Sequence, residues 1–430
     1  MKVLLIGGGG REHALAWKLA RSERITGMWC APGNPGISGE RLISNRNTVE
    51  CVAIGADDLE GLAEFARKNL PDLTIVGPDN PLGMGIVDLF QKQNLPIWGP
   101  NRKAAQFESS KVFSQEFLEK HGLPHAEGCS FTDPEQALAF AEQRRWKCVI
   151  KVDGLALGKG VFVCSSHEQV QNAIHSIFVE NKFGTAGNQI VVQELLEGLE
   201  VSLHAICDGE RALLFPTSQD HKQVFDGDRG PNTGGMGAFS PAPFLDQEGI
   251  EAIHSQIIDP WLKGCRSDGI DFRGILYPGI MITSKGPQIL EFNARFGDPE
   301  TQVYLPKMKN DLLDVIEASM LGKLDQVELN WEKGSTVCVV MASEGYPGSY
   351  SKGKVINGLT NLETVPNTMV FHAGTKEIEG KIVTNGGRVL GVTAWADSLN
   401  EARDRASDAV ESIHFDGAFY RRDIASKAIE

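Results

Sequence analysis

At 430 residues the chain is too long for one hydrophobic core and divides into several domains. A 41% hydrophobic and 23% charged composition is that of a soluble globular protein, and 42 Lys and Arg against 56 Asp and Glu give a net charge of −14. That balance excludes a general nucleic-acid coat and leaves room for a small phosphorylated ligand held by local cations.

The opening MKVLLIGGGG is too short and glycine-rich for a secretory signal, and no run approaches the roughly 20 apolar residues of a membrane span. Residues 3–6 then read as a strand, 11–19 as a helix, 73–76 as a strand, 85–94 as a helix and 96–98 as a short strand. Such alternation implies a parallel βαβ sheet. Gly99-Pro-Asn101 is a linker to a helix over 110–121, stopped by Gly122 and Pro124. A capping box over 132–135, a strand at 149–152, a glycine loop, a strand at 161–164 and a helix opened by Ser166 follow. From residue 190 strands dominate: IVVQEL, EVSLHAIC and RALLFP, then a Gly/Pro/Asn-rich loop over 226–243 and the hairpin GIMIT–SKGP–QILEFNA. Beyond about residue 335, strands and loops end in a helix capped by Ser398 and Glu401, with Leu399, Ala402, Ala406, Ala409, Val410 and Ile413 at helical spacing. The eight cysteines are scattered with no C-x-x-C pair, so reduced thiols and a cytoplasmic setting are expected.

Several segments carry chemistry. Gly7-x-Gly9 is followed by Glu12 where a dinucleotide fingerprint places a third small residue, and the next strand ends in Cys30-Ala-Pro-Gly33 without an acid for a ribose hydroxyl. This argues against a nicotinamide cofactor. The turn, with Arg11 and His13 beside it, is either a plain strand-to-helix turn or, the favoured reading, an anion seat at a helix N-terminus. Gly154-Leu-Ala-Leu-Gly158-Lys159-Gly160 is no P-loop, being one spacer short and joining two strands. Lys151, however, stands inside an apolar strand where an ammonium needs an anionic partner. With Lys111 it suits a loop folded over phosphates; a snorkelling lysine beside a hairpin is the alternative.

In the strand at 288–294, alternation puts Glu291 and Asn293 on one face and Leu290 and Phe292 on the other. Two oxygens roughly 7 Å apart suit Mg²⁺ completed by water and phosphate. A strand with its polar residues outward would read the same way. Arg295-Phe-Gly-Asp-Pro-Glu300 adds an anion clamp and carboxylates directly beside that pair. The glycines of the 231–238 segment favour close approach of backbone to a ligand, and Ser218-Gln-Asp-His-Lys222 before it offers an acid, an imidazole and a cation.

Together, KVLLIGGGGREHALAWKL, APGNPG, SKVFSQEFLEKHGLP, IKVDGLALGKGV, TSQDHKQVFDGDRGPNTGGMGAFSPAP and EFNARFGDPETQ resemble the glycinamide ribonucleotide synthetase family of the ATP-grasp superfamily, in order along nearly the whole chain. The resemblance implies a multidomain α/β and α+β protein: an N-terminal parallel βαβ domain over 1–105, an ATP-grasp core of two α+β subdomains over 106–192 and 193–334, and a small C-terminal α+β domain over 335–430. It implies an ATP-dependent ligase joining glycine to 5-phosphoribosylamine through glycyl phosphate, with no nucleic-acid or membrane partner, working as a monomer. Lys111 and Lys151 would contact the ATP phosphates under a loop containing Gly158, Lys159 and Gly160. Gln193, Glu194 and Leu196 would meet adenine, and Glu200 the ribose. Glu291 and Asn293 would hold Mg²⁺, for which Mn²⁺ can substitute. Gly8, Gly9, Gly10, Arg11, Glu12, His13, Asp220, His221, Lys222, Asn232, Thr233, Gly234, Gly235, Arg295 and Asp298 would surround the two other substrates, with Arg295 and Lys151 catalytic. Gln193 stands where many relatives carry Glu, Tyr277-Pro-Gly replaces Tyr-Ala-Gly, and Gly77-Pro-Asp-Asn-Pro81 replaces a Gly-Pro-Glu-x-Pro stretch. The rivals are another ATP-grasp carboxylate–amine ligase or a formate- or bicarbonate-using relative, a nicotinamide oxidoreductase, and a non-catalytic nucleotide binder.

Overall fold

The computed structural model describes residues 1–155, 160–362 and 365–429. Its first sheet is parallel, with β1 (Lys2–Gly7), β2 (Gly27–Pro32), β3 (Glu50–Cys51), β4 (Leu73–Val76) and β5 (Ile97–Trp98) in the order β3–β2–β1–β4–β5. Val3 and Leu5 enter one apolar cluster and Leu4 and Ile6 another, because helices cover both faces. The strand order reverses at β1, so its C-terminal turn opens into the crevice where such sheets bind ligands.

Next, β6 (Gly128–Phe131), β7 (Cys148–Val152), β8 (Val161–Cys164) and β9 (Ile190–Glu194) form an antiparallel sheet in the order β6–β9–β7–β8. Helices Pro134–Gln143 and His167–Ile174 bury Ala137, Ala141, Val170 and Ala173 against Ile150 and Val192. The first of these helices is capped one residue later than the capping-box pattern suggested. Asp133, not Thr132, accepts the N–H groups of Glu135 and Gln136, with Pro134 filling the first helical position.

The chain continues through β10 (Leu199–Ser202), β11 (Ala205–Asp208), β12 (Ala212–Leu214), β13 (Gln219–Asp220), β14 (Gln223–Phe225), β15 (Arg229–Asn232), β16 (Gly237–Ser240), β17 (Arg273–Thr283) and β18 (Gly286–Asn293). The long β17 is the spine of a second antiparallel sheet, β10–β17–β11–β12, with β18 on β17. The expected strand EVSLHAIC is split because its two halves pair with different stretches of β17: Ser202 faces Gly279, and Ala205 faces Leu276.

The last segment supplies β19 (Ser335–Ser343), β20 (Thr368–His372), β21 (Thr375–Ile378), β22 (Lys381–Thr384), β23 (Arg388–Ala396) and β24 (Ala418–Phe419). Its main sheet runs β13–β16–β19–β23–β20, with β24 also on β19. Two of these strands come from the segment before residue 335, so pairing crosses the expected boundary there. The 226–243 segment, expected as loop, contains β15 and β16, and Phe239 of β16 is buried in the C-terminal core with Val337, Val389 and Ala406. The closing helix Leu399–Glu411 is capped by Ser398, whose side chain accepts the Glu401 N–H. Each of the eight cysteines is a free thiol, and no helix among the described residues is long and apolar enough to cross a membrane.

Candidate active site

A cavity of about 530 Å³ is lined by the four-stranded sheet, the sheet built on β17 and the C-terminal sheet, with Arg11 and Asp79 reaching it from the N-terminal domain. Lys151 on β7 and Lys111, first residue of the helix Lys111–His121, face it beside Glu291 on β18. The Lys151 ammonium is buried and donates to the Leu290 carbonyl at 2.6 Å. Burial lowers it to about 8, Lys111 and Lys222 add to that, and Glu291 opposes. Lys111 pairs with Glu291 at 3.1 Å. Burial alone would raise the Glu291 carboxyl, but the ammonium groups of Lys111, Lys151 and Lys222 outweigh it and hold it well below the carboxylate range.

The strand alternation expected at 288–294 is interrupted. A β-bulge in the β17–β18 pairing makes Glu291 face Gly279 and Ile289 face Ile280, leaving Leu290 unpaired. Ile289 and Phe292 therefore enter the core, and Leu290 joins Glu291 and Asn293 in lining the cavity. The Asn293 Nδ2 donates to the Tyr277 carbonyl at 3.3 Å, which leaves Oδ1 as the acceptor of that side chain. One carboxylate and one amide oxygen are hard donors that fit Mg²⁺ when phosphate and water complete the shell. Among the described residues no three His, Cys, Asp or Glu side chains gather into a metal group, so a site here needs a phosphate-bearing ligand.

Arg295 is fixed through Nη2 to Glu108 at 2.8 Å and Nη1 to the Phe296 carbonyl at 3.1 Å. Its Nε is buried and has no partner among the described residues. Glu108 also accepts the Ala294 N–H at 2.8 Å, locking the clamp to the end of β18. Lys222 lies 3.0 Å from Glu200 and 3.8 Å from Asp220. Arg388 on β23 reaches Asp298 Oδ2 at 3.3 Å and donates to the carbonyls of Asp298 at 2.6 Å and Gly234 at 2.5 Å. Gln193 donates to Gln115 at 2.7 Å, leaving its amide oxygen as an acceptor, and the Glu194 N–H is bonded to Glu127.

Of the residues expected at the site, Arg11, Lys111, Lys151, Gly160, Gln193, Glu194, Leu196, Glu200, Asp220, Lys222, Asn232, Thr233, Gly234, Glu291, Asn293, Arg295 and Asp298 share this wall. Gly158 and Lys159 lie outside the described residues. Gly8, Gly9, Gly10, Glu12, His13, His221 and Gly235 are not part of it. At the glycine turn one backbone donor is engaged from within: Glu12 accepts the Gly9 N–H at 2.7 Å and pairs with Arg11 at 2.6 Å. A carboxylate three residues into a helix bends back to its N-terminus, and here it takes the Gly9 N–H. His13 is buried, accepts the His372 N–H at 2.7 Å and sits 3.3 Å from Glu40, so it ties the first helix to β20. His221 is buried and turned toward Ala425, and burial with the nearby Arg421 lowers it to about 4, keeping it neutral.

The wall also contains residues that sequence reasoning missed. Glu108, Asp79 and Tyr277 are polar residues in otherwise ordinary helical, turn or strand patterns, whereas Glu300 is one of the carboxylates of the 295–300 segment and joins the same wall. Tyr346, Tyr350 and Arg388 come from the C-terminal segment, where no motif marks them. A second groove of about 650 Å³ near Lys120 and Arg266 contains none of the expected residues, and Lys120 in it pairs with Asp268 at 2.6 Å.

Residues 1–108, 109–301 and 336–427 match the N, ATP-grasp and C domain models of phosphoribosylglycinamide synthetase. The chain is 48% identical to phosphoribosylamine–glycine ligase of Escherichia coli O157:H7, covering 100% of this chain and 99% of that one. It is 46% identical to the protein of the same name from Vibrio cholerae, again over 100% and 99% of the two chains. The crystal structure of phosphoribosylamine–glycine ligase from Thermotoga maritima is similar with a TM-score of 0.82 and 33% identity, covering 99% of this chain and 100% of that one.

Proposed function

The chain belongs to the phosphoribosylglycinamide synthetase family, and from that premise we propose that it joins glycine to 5-phosphoribosylamine with ATP, giving glycinamide ribonucleotide, ADP and phosphate in purine biosynthesis. The observation that carries this reading is the full-length likeness to ligases of that name, together with one cavity that gathers Lys111, Lys151, Glu291, Asn293 and Arg295.

A free carboxylate is a poor electrophile, so amide formation needs activation. In the proposed route the γ-phosphoryl group of ATP moves to the glycine carboxylate, ADP departs, and the amine of phosphoribosylamine attacks the resulting glycyl phosphate, releasing phosphate. Lys111 and Lys151 offset phosphate charge during the transfer. Glu291 and Asn293 would hold Mg²⁺, which would neutralise phosphate oxygens as a Lewis acid; Mn²⁺ suits the same oxygens. The free Nε of Arg295 is the donor we assign to the developing acyl phosphate. Residues 193–196 take adenine and Glu200 the ribose. No side-chain nucleophile is used, and burial of the wall keeps water from the acyl phosphate. A monomer is the proposed working unit, and the free thiols suit a reducing compartment such as the cytoplasm.

The test is ADP release with Mg²⁺-ATP, glycine and freshly made phosphoribosylamine, omitting each in turn. Release only with the complete set is expected. Turnover with formate or bicarbonate in place of glycine, or indifference to phosphoribosylamine, would overturn the reading.

A further inference from the structure

The hairpin β14–β15 is a two-stranded sheet of its own, and its base is part of the cavity wall. Gln223 faces Asn232, and the Thr233 N–H and hydroxyl both donate to the Lys222 carbonyl at 2.7 Å. Lys222, Asn232 and Thr233 line the cavity, so any swing of the hairpin moves them together. A two-stranded hairpin alone is marginal in water. This one has little apolar anchorage: Val224 is buried in a small cluster with Met236 and Ala342, whereas Phe225 is 54% exposed.

A polar clasp from the last residues of the fold holds it. Arg421, two residues past β24, is 1% exposed. Its Nε and Nη2 form a fork on the two Asp423 oxygens, each at 2.7 Å. Its Nη1 donates to the Gln223 carbonyl at 3.0 Å and to Asp228 at 2.8 Å. Asp423 Oδ2 also accepts the Gly227 N–H at 2.8 Å, Asp226 accepts the Arg422 N–H at 2.9 Å, and Lys427 pairs with Asp228. The guanidinium thus grips the hairpin at its base, next to Lys222, while Asp423 grips it at its tip. A planar fork on a carboxylate fixes direction as well as distance. A buried guanidinium is costly once a partner leaves, so hairpin and tail hold their positions as one unit.

Resting on the ligase reading above, we propose that Arg421 is a positioning residue for the reaction: through Asp423 and Asp228 it sets where the hairpin places Asn232 and Thr233 against the substrates other than ATP. It is not itself part of the cavity wall. The C-terminal domain then acts on the site twice, through Arg388 within the wall and through Arg421 from behind it.

The experiment compares the wild-type enzyme with Asp423→Asn in steady state, varying glycine, phosphoribosylamine and ATP separately. The variant keeps the shape of the fork and removes its charge. Residues that touch no ligand but belong to a coupled network shift a site by about twofold to thirtyfold. The expected result is a KM for glycine or phosphoribosylamine, or both, raised at least about threefold, with that for ATP raised less than this. A lower melting temperature with smaller changes in those two KM values makes the clasp merely structural and overturns the proposal, as does an equal rise in all three. Should Asp423→Asn fail to fold, Asp228→Asn decides by the same readout. Asp228 is 33% exposed and has φ of +51°, a conformation asparagine adopts readily, so that variant folds. If the wild-type enzyme does not turn over ATP with glycine and phosphoribosylamine, the proposed function fails instead. Hydrogen exchange over residues 221–236 still tests the clasp then: faster exchange in the variant supports it, unchanged exchange overturns it, and the two failures are told apart.

Discussion

An ammonium buried in an apolar strand is costly unless an anion answers it, and Lys151 meets only a carbonyl oxygen at hydrogen-bond distance. That cost fits the proposed role of Lys151 at a phosphate. Its value of about 8 in the folded chain lies below the ordinary lysine value of about 10.4 that applies when unfolded. Between those values the unfolded chain binds the proton and the folded chain does not, so this group makes stability rise with pH there and is a full penalty below pH 8. Lys151→Met is therefore expected to melt at a higher temperature than the parent at pH 7, with the gap closing from pH 8 upward. The same variant is expected to bind ATP about tenfold to hundredfold more weakly by calorimetry. Unchanged ATP affinity would make Lys151 merely structural. Lys151 was legible because a charge inside KCVIKV violates the strand's own pattern. Glu12 and His13 show what spacing hides: they stand beside the glycine turn in sequence, yet their partners, Gly9 in the turn itself and His372 in the distant β20, are chosen by backbone geometry.

At the scale of elements, strands with local, apolar patterns were readable to within a residue, as at 73–76 and 161–164. The strand β16 was not, because GAFS follows a glycine run and gains its burial only by pairing with β19, about a hundred residues on. The bulge at Leu290 was equally hidden, since it is set by register against β17 rather than by the sequence of β18. The turn before β16 illustrates how tightly such non-local packing constrains a residue. Gly235 has φ of +110°, and an added Cβ would meet Pro299 Cδ at 2.5 Å as well as Asp220. Gly235→Ala is expected to lower stability by about 1–3 kcal/mol in urea unfolding and to reduce glycine turnover. Gly39→Ala, where nothing lies within 4 Å, is the control and should change stability by less than about 0.5 kcal/mol.

For the whole molecule, the helices after β1 and β4 of the N-terminal sheet close one end of the cavity through Arg11 and Asp79, the two antiparallel sheets with the helix Lys111–His121 supply Lys151, Lys111 and the oxygen donors, and the C-terminal sheet supplies Arg388. The order of motifs along the chain revealed the first two contributions. The third was invisible because RVLGV reads as an ordinary strand, and Arg388 becomes part of the site only when β23 aligns beside β19 and reaches Asp298 and Gly234. A cavity that gathers cations, a pair of hard oxygen donors and an anion clamp suits the proposed route, in which a phosphoryl group moves onto a carboxylate and is displaced by an amine. Glycine carrying oxygen-18 in both carboxylate positions tests that route directly, in the complete reaction with Mg²⁺-ATP and phosphoribosylamine. The account predicts that each turnover delivers one oxygen-18 atom to the released inorganic phosphate and leaves the other in the amide of the product. Product formed together with unlabelled phosphate would contradict it.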